Sequence, residues 1–144
     1  MLFGAAKTLS SILSVVLITS TFAPALCSVD DVIVRGRVDH APRNARVRVQ
    51  LVYARDLPGE SGDVTIENGT FSIPIDFLTQ SRRPVVNGIL EKCSRRPKTV
   101  IVTLVESDQD HEYDRVTLDF AKDFKMAGPS TYTLRSEVVL NGSR

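Results

Sequence analysis

Cysteine and histidine are scarce in this 144-residue chain, with two of each, and their scarcity excludes several classes of small protein. A small secreted chain held together by disulfides needs several cysteine pairs, whereas this one offers Cys27 and Cys93 alone. No His–Cys spacing matches a zinc site or an activated thiol. Phosphate-binding glycine loops, nucleophile elbows and haem motifs are also missing from the sequence, so we expect no cofactor and no metal.

The N-terminal segment has little charge. Lys7 is the one charged residue before Asp30, and an apolar stretch diluted by Ser and Thr, residues 12–26, lies between them. A membrane-spanning helix needs about 20 consecutive apolar residues, so we expect no transmembrane segment here. A basic start, a short apolar centre and small residues before a polar region predict a signal peptide over residues 1–28. The protein is therefore expected to be secreted or extracellular, or periplasmic in a bacterium.

The predicted domain, residues 29–144, carries no excess charge. Without Lys7, the 18 basic residues of the chain fall to 17, which equals the 17 acidic ones. A neutral domain is steered toward neither nucleic acid nor an anionic membrane. At about 116 residues it is one domain that can bury a core without disulfides. Cys27 and Cys93 could form a disulfide if the signal peptidase cuts before Cys27, whereas a later cut would leave Cys93 alone.

Helical periodicity is rare in this domain, and alternation of apolar and polar residues takes its place. Three runs show the alternation most clearly: VIVRGRV from Val32, ARVRVQLVY from Ala45 and YTLRSEVVL from Tyr132. KTVIVTLVE from Lys98 is a long run rich in β-branched residues and is predicted to be a central strand, while AKDFKMAGPS after it is irregular or one helical turn. Short strands separated by turn signals predict an all-β fold, a single seven- to eight-stranded antiparallel β-sandwich of transthyretin or immunoglobulin type.

The stretch GDVTIENGTFSIPIDF, residues 62–77, predicts a β-hairpin. Asn68-Gly69 tolerates the positive φ angles that a type I′ turn requires. A two-residue loop there would pair Ile66 with Phe71 and would place all the flanking apolar residues on one side. Pro74 cannot donate a hydrogen bond to a neighbouring strand, so we expect regular pairing to fade at that position.

Basic residues alternate along the first two predicted strands. Arg35 and Arg37 share one outward face, and Arg46 and Arg48 share another. A direct hairpin between these strands would place like charges opposite each other, which is unfavourable. The strands therefore lie in different sheets, or acidic strands intervene, or the arginines form a basic face for an anionic partner.

A second basic cluster brackets the least regular segment of the domain. Its members are Arg82, Arg83, Lys92, Arg95, Arg96 and Lys98. Loops on a rigid β scaffold often carry binding residues. This cluster is therefore the candidate binding region, and the partner expected for it is a protein, a glycan or a small molecule.

Both histidines, His40 and His111, fall in predicted loops, where a solvated side chain is the usual outcome. His111 lies within an acidic group: Asp108, Asp110, Glu112 and Asp114. The group lacks the turn glycine and the spacing of a calcium-binding loop, so a solvated hairpin tip is expected. A hydrolase that uses either histidine with nearby carboxylates remains the enzymatic alternative.

Asn68 and Asn141 each begin an Asn-x-Ser/Thr sequence and are candidate glycosylation sites in a eukaryotic host. Taken together, the sequence predicts a secreted, non-enzymatic binding module, with a host- or surface-directed protein as one version. A structural module of a cell envelope or matrix is a further alternative.

The strand motifs resemble a known family. VIVRGRV, a short loop with Pro42, and ARVRVQLV resemble the opening of transthyretin-like and carboxypeptidase-regulatory-type domains, which often continue much like TIENGTF. CSRRPKTVIVTL is similar to extracellular transthyretin-like proteins. The resemblance implies a prealbumin-type β-sandwich with its first two strands in different sheets. Purine-pathway hydrolases of this fold carry a His-x-His motif and a Tyr-Arg-Gly-Ser terminus; the nearest stretches here are HEYDRVTL and NGSR, so no hydrolase activity is implied.

Overall fold

The structure, a computed structural model, describes residues 27–80, 96–108 and 111–143. Nine strands occupy these residues: β1 (Cys27–Asp39), β2 (Ala45–Val52), β3 (Pro58–Thr65), β4 (Thr70–Gln80), β5 (Thr99–Glu106), β6 (Glu112–Asp119), β7 (Phe124–Met126), β8 (Thr131–Leu134) and β9 (Val138–Asn141). A 3-10 turn at Ala54–Asp56 follows β2, and a single-turn helix, α1 (Phe120–Asp123), follows β6. The all-β prediction is confirmed, and so is the helical turn that was one of the two expectations for the AKDFKMAGPS segment.

The strands form two sheets that pack face to face as a sandwich. The first sheet has the order β4-β1-β8-β7, with β9 also beside β1, and the second has the order β3-β2-β5-β6. The central position predicted for β5 is confirmed. β1 runs antiparallel to β4 but parallel to β8 and β9, so the sandwich contains two parallel pairs.

The last predicted strand is divided into β8 and β9. Thr133 lies opposite Ile33, whereas Val138 lies opposite Gly36. The C-terminal segment therefore has two more residues than β1 between these two pairs, and they interrupt the strand. The four apolar residues predicted to share a face are all buried: Tyr132, Leu134, Val138 and Leu140. The division, together with the short β7, raises the strand number to nine within the described residues.

The core lies between the sheets and consists mainly of aliphatic side chains at alternating strand positions. Nine of them have no solvent-accessible surface: Val32, Val34, Val47, Val49, Leu51, Val100, Val102, Leu104 and Leu140. Complete burial of one such side chain contributes about 1.5–3 kcal/mol. The alternation read from the sequence therefore corresponds to the inner faces of both sheets.

The Asn68-Gly69 turn is present, but the hairpin predicted around it is wrong. The two turn residues have φ angles of 52° and 73°, and Glu67 and Thr70 exchange both backbone hydrogen bonds, at 2.9 and 3.0 Å. Beyond that bridge β3 pairs with β2, whereas β4 pairs with β1, so Ile66 and Phe71 are not partners. The turn connects the two sheets. Alternation shows which residues face the core. A hairpin and a turn between the two sheets would direct the same residues toward the core, so alternation does not distinguish them.

The expectation that pairing fades at Pro74 is also wrong, because β4 stays paired with β1 from Thr70 to Gln80. Among the described residues β4 pairs with β1 alone and is therefore an edge strand of its sheet. An edge strand tolerates proline where the missing N–H would point away from the neighbouring strand.

The four outward arginines of the first two strands are kept apart by the fold. β1 and β2 belong to different sheets, as the family resemblance implied. β3 also places Asp63 beside the arginines of β2. Arg48 Nε donates to Asp63 Oδ1 at 3.0 Å, and Arg46 Nε lies 3.3 Å from Oδ2 without completing a hydrogen bond. The first of the three explanations therefore holds, and Asp63 of the neighbouring β3 adds a carboxylate beside the arginines of β2.

Several predictions concern residues outside the described ranges. They include the signal peptide up to residue 26, the Cys27–Cys93 disulfide through Cys93, part of the acidic group through Asp110, and the basic residues Arg82, Arg83, Lys92 and Arg95. Within the ranges that are described, no helix has the length and apolar character needed to cross a bilayer.

Candidate functional site

The loops of the sandwich gather at two ends. The turn end holds the β1–β2 loop, the Asn68-Gly69 turn, the loop between β5 and β6, and Gly142. Backbone hydrogen bonds connect these loops: Val38 N donates to Gly69 O, Gly142 N to Asp39 O and Ser107 N to Asn44 O, all at 2.8–2.9 Å. The turn end is therefore held by the main chain.

The opposite end, the cleft end, holds the 3-10 turn, residues 96–98, α1 and β7. Lys98 connects these parts through its main chain. Its N–H donates to Val52 O at 2.7 Å, and its carbonyl accepts from Phe120 N at 3.0 Å. The residues that precede β5 are thereby placed beside the residues that follow β6.

Asp119 forms the N-cap of α1 and sets the direction of the chain at the cleft end. Its Oδ1 accepts from Lys122 N at 3.0 Å, while its own N–H donates to Asp123 Oδ2 at 2.7 Å. This reciprocal capping satisfies backbone donors that a helix start leaves unpaired. The turn places Phe120 and Phe124 on the same side, with ring centroids 5.2 Å apart and nearly parallel planes.

Phe120 is the centre of an aromatic cluster made of Phe77, Phe120, Phe124 and Tyr132. Its ring meets Phe77 edge to face, with centroids 6.0 Å apart, and meets Tyr132 at 5.0 Å. All four residues are buried, so the cluster is chiefly part of the core. Three of its members, Phe120, Phe124 and Tyr132, also form the floor of a surface opening.

A cleft of about 500 Å³ opens over this floor. Arg96, Pro97 and Lys98 form one wall, and Lys125, Met126 and Arg135 lie on strand β7 and just after β8. Met126 is half exposed and adds accessible apolar surface. Ligand pockets have volumes of roughly 300–1,000 Å³, so the opening has the size of a small-molecule site.

The cleft lining is strongly basic, with four cations against one carboxylate, that of Asp119. Lys98 Nζ lies 3.7 Å from Asp56 Oδ1, and both side chains are largely exposed. Arg96, Lys125 and Arg135 form no ion pair with any residue of the described ranges. Because Asp119 already caps α1, these cations are left to attract an anion from solution.

Arg96 and Arg135 are the two arginines of the cleft. The Arg96 guanidinium carbon lies 5.6 Å from the centroid of the Tyr132 ring, which is within the range of a cation–π contact. The backbone of Arg135 is fixed, since its N–H donates to Asp123 O at 2.8 Å, while its side chain is exposed. The cleft therefore presents the Arg96 guanidinium over an aromatic ring and the exposed guanidinium of Arg135 at its edge, both without an ion pair in the described residues.

The sequence identified part of this site. Arg96 and Lys98, two members of the predicted basic cluster, lie at the cleft. The sequence did not identify Lys125, Met126 or Arg135, which reach the cleft because β7 and β8 pair with each other beside β1. The available signal was the break in alternation at AKDFKMAGPS, where lysines and apolar residues mix.

The histidines occupy the turn end, away from the cleft. His40 is exposed with φ of 54°, and His111 is exposed with its ring 4.9 Å from that of Tyr113. Within the described residues neither imidazole contacts a carboxylate. The acids near His111 have other partners: both Glu112 oxygens accept from Arg115, at 3.0 and 2.7 Å, and Asp114 Oδ2 accepts from Asn141 N.

Glu112 has a clear electrostatic effect on its partner. The hydrogen bond to Glu112 and the carboxylate charge raise the pKa of the Arg115 guanidinium. In the described part of the chain, no group of three or more histidine, cysteine, aspartate and glutamate residues could hold a metal ion. At the turn end the side chains of Glu112, Asp114 and Arg115 thus all have partners.

Both candidate glycosylation sites also lie at the turn end. Asn68 is exposed at the tip of its turn. Asn141 is partly buried, and its Oδ1 accepts from both the N–H and the hydroxyl of Ser143, at 2.9 and 2.7 Å. A glycan at either residue would project from the end opposite the cleft.

Comparison of the chain with protein-family models, with curated proteins and with solved structures gives no match in any of the three.

Proposed function

We propose that this protein is an exported, non-enzymatic binding module and that the cleft is its ligand site. One observation carries the proposal. Three cations without a carboxylate partner in the described residues, those of Arg96, Lys125 and Arg135, surround an apolar-floored opening of about 500 Å³. Like charges that converge on one opening repel one another, so their convergence over an apolar floor favours an anionic ligand as its explanation.

The chemistry of the lining favours binding over hydrolysis. The described lining holds no serine, cysteine or histidine, and its one carboxylate, Asp119, accepts a backbone hydrogen bond. A hydrolase needs a nucleophile or an activated water beside a general base. His40 and His111, which the enzymatic alternative requires, lie at the turn end.

Kinship with transthyretin-like domains stays part of the proposal. It is supported by the sandwich architecture and by the separation of β1 and β2 into different sheets.

Export is the second part of the proposal, with a signal peptide removed near Cys27. Intact-mass measurement of the secreted product should give a first residue between Leu26 and Val29, whereas a product that retains Met1 would contradict export.

The ligand site can be tested by filling it. Ala121 is exposed and lines the cleft, so Ala121→Phe should obstruct the opening without disturbing the core. We would titrate ¹⁵N-labelled protein with a panel of neutral, cationic and anionic aromatic fragments. Some fragments should shift the amide signals of residues 120–126 and 132–135 in the wild type and should fail to do so in the variant.

Ala41→Phe is the matched control, since Ala41 is an exposed alanine at the turn end. It should bind the fragments as the wild type does. Mass spectrometry of the recovered fragments tests the enzymatic alternative, because a binding module returns them unchanged. Signals that shift only around His40 and His111, or no shift at millimolar fragment, would overturn the proposed function.

The basic residues outside the described ranges call for a separate variant. Replacing Arg82, Arg83 and Arg95 with Ser should weaken ligand capture in a salt-dependent manner if the predicted basic cluster acts as one unit. If the variant captures the ligand as well as the wild type does and its circular dichroism spectrum is unchanged, these three arginines are not part of the ligand site.

A further inference from the structure

From the chemistry of the cleft we infer that its ligand is a small aromatic acid, a molecule with one ring system and one carboxylate or sulfonate group. The inference rests on the proposed function and adds the chemical class of the ligand. Two features of the cleft lead to it: the arrangement of its apolar surface and the excess of its cations.

The apolar surface accommodates a ring. Met126 is half exposed, and a methionine sulfur packs favourably against aromatic rings. Tyr132 and Phe124 line the cleft beside it, and Arg96 lies over the Tyr132 ring at 5.6 Å. A ring that enters the cleft would contact the methionine side chain and the exposed face of the guanidinium, which stacks on π systems.

The cations supply the second half of the recognition. Arg135 and Lys125 have no carboxylate partner among the described residues, and Lys98 has a loose one, Asp56, at 3.7 Å. An anionic oxygen accepts charge-assisted hydrogen bonds from such donors, and these are about twice as strong as neutral ones. A neutral ring would leave the cations unpaired, so the charge of the ligand should contribute much of its affinity.

A polyanion or a nucleic acid fits this end less well. The aromatic residues are each at most 5% exposed, so they offer no open platform on which successive bases could stack. The carboxylates of Asp56 and Asp119 border the cations and would repel an extended anionic chain. A single acid group avoids that repulsion, because it can remain between the cations.

Two fluorescent probes that differ in a single group provide the test. 8-Anilinonaphthalene-1-sulfonate carries one sulfonate, whereas N-phenyl-1-naphthylamine is the same ring system without it. We expect one-to-one binding in which the dissociation constant of the sulfonate is lower by about tenfold or more. The difference should shrink in 0.5 M salt, because salt screens exposed charges.

Variants identify the groups that recognise the charge. The double variant Arg96→Gln with Arg135→Gln should bring the two dissociation constants within about twofold of each other, since a neutral amide forms weaker hydrogen bonds to a sulfonate. Arg43→Gln is the control, because Arg43 is an exposed arginine of the turn end. It should leave the ratio unchanged. Circular dichroism of all three proteins verifies that the probes report on folded protein.

The outcomes separate this inference from the proposed function. If both probes shift the amide signals of Ala121, Met126 and Arg135 with equal affinity, the cleft binds ligands but does not select an acid, and the inference fails. If tripolyphosphate, which has no ring, displaces the sulfonate probe at a similar concentration, the ring is not recognised and the inference fails as well. If neither probe shifts those signals, the proposed ligand site itself is refuted.

Discussion

The two ends of the sandwich are built on different principles. At the turn end, main-chain hydrogen bonds join four loops, and charged side chains such as Glu112, Asp114 and Arg115 have partners. Main-chain hydrogen bonds also join the parts of the cleft end, such as those of Lys98 with Val52 and Phe120. The cleft end differs in its side chains: aromatic rings form the floor of the cleft, and Arg96, Lys125 and Arg135 have no carboxylate partner among the described residues.

This difference indicates a division between stability and binding. Backbone hydrogen bonds and paired charges restrict the conformations of a loop, so substitutions at the turn end should lower the free energy of unfolding. Exposed unpaired cations contribute little to folding, so substitutions at the cleft end should change ligand affinity instead. Measurements of stability on variants of both ends can support or refute that division.

Gly36→Ala should have the largest effect on stability. A Cβ at this position would lie 2.2 Å from Val138 O and 2.9 Å from Phe71 Cζ, where β1 approaches β9. Because the nearest atom belongs to the backbone, the strands must separate to accept a methyl group. We expect a loss of about 2–3 kcal/mol in equilibrium denaturation by urea.

Gly128→Ala is the control for this substitution. The nearest atom to a Cβ there is Thr131 Cβ at 4.0 Å, an ordinary contact at the cleft end. Its stability should stay within about 0.5 kcal/mol of the wild type. Equal stability of the two alanine variants would mean that β1 and β9 are not closely packed at Gly36.

Gly69→Val should have the next largest effect. Space is available, since the nearest atom to a Cβ is Val38 O at 3.7 Å, so the cost comes from the φ angle of 73°. A β-branched residue avoids that region, and we expect a loss on the order of 1 kcal/mol or more. Gly69→Asn should retain most of the stability, because asparagine tolerates positive φ. An unchanged melting temperature for the valine variant would mean that Asn68-Gly69 does not form the turn.

Asp119→Ala examines the side-chain cap that holds α1 at the cleft end. Loss of the cap on Lys122 N should cost about 1 kcal/mol. Asp119→Asn removes the same charge but keeps a capping oxygen, so the difference between the two variants isolates the cap. If both variants lose the same stability, the carboxylate charge rather than the cap holds α1 in place.

The sequence predicted the fold class better than it predicted which strands lie beside each other. Alternation identified the buried Tyr132, Leu134, Val138 and Leu140, and the Asn68-Gly69 pair identified its turn. Alternation does not say which strand lies alongside, since every inward residue faces the same core. The hairpin prediction failed for this reason, and so did the purely antiparallel pairing.

Part of the candidate site was predictable, namely the part whose residues are close together in the chain. Arg96 and Lys98 are neighbours in the chain, so their clustering is visible in the sequence. Lys125 and Arg135 lie 10 positions apart and approach the same cleft through the pairing of β7 with β8. A site assembled by the pairing of short strands leaves no local signal, and the unpaired state of its cations becomes apparent once their neighbours are known.

The smallest effect on stability is expected where the effect on binding is largest. The double variant Lys125→Gln with Arg135→Gln removes two cations that have no carboxylate partner in the described residues, so its free energy of unfolding should change by less than about 0.5 kcal/mol. Arg96 is left unchanged, because its contact with the Tyr132 ring contributes to stability. The matched comparison is Arg46→Gln with Arg48→Gln, which removes the two cations that flank Asp63.

Each pair with Asp63 contributes about 0.2–1 kcal/mol, so the variant of Arg46 and Arg48 should be the less stable protein although both variants lose two charges. Urea denaturation of both variants measures this order directly. If the variant of Lys125 and Arg135 is the less stable one, these cations of the cleft serve the fold, and the division between a structural end and a binding end is refuted.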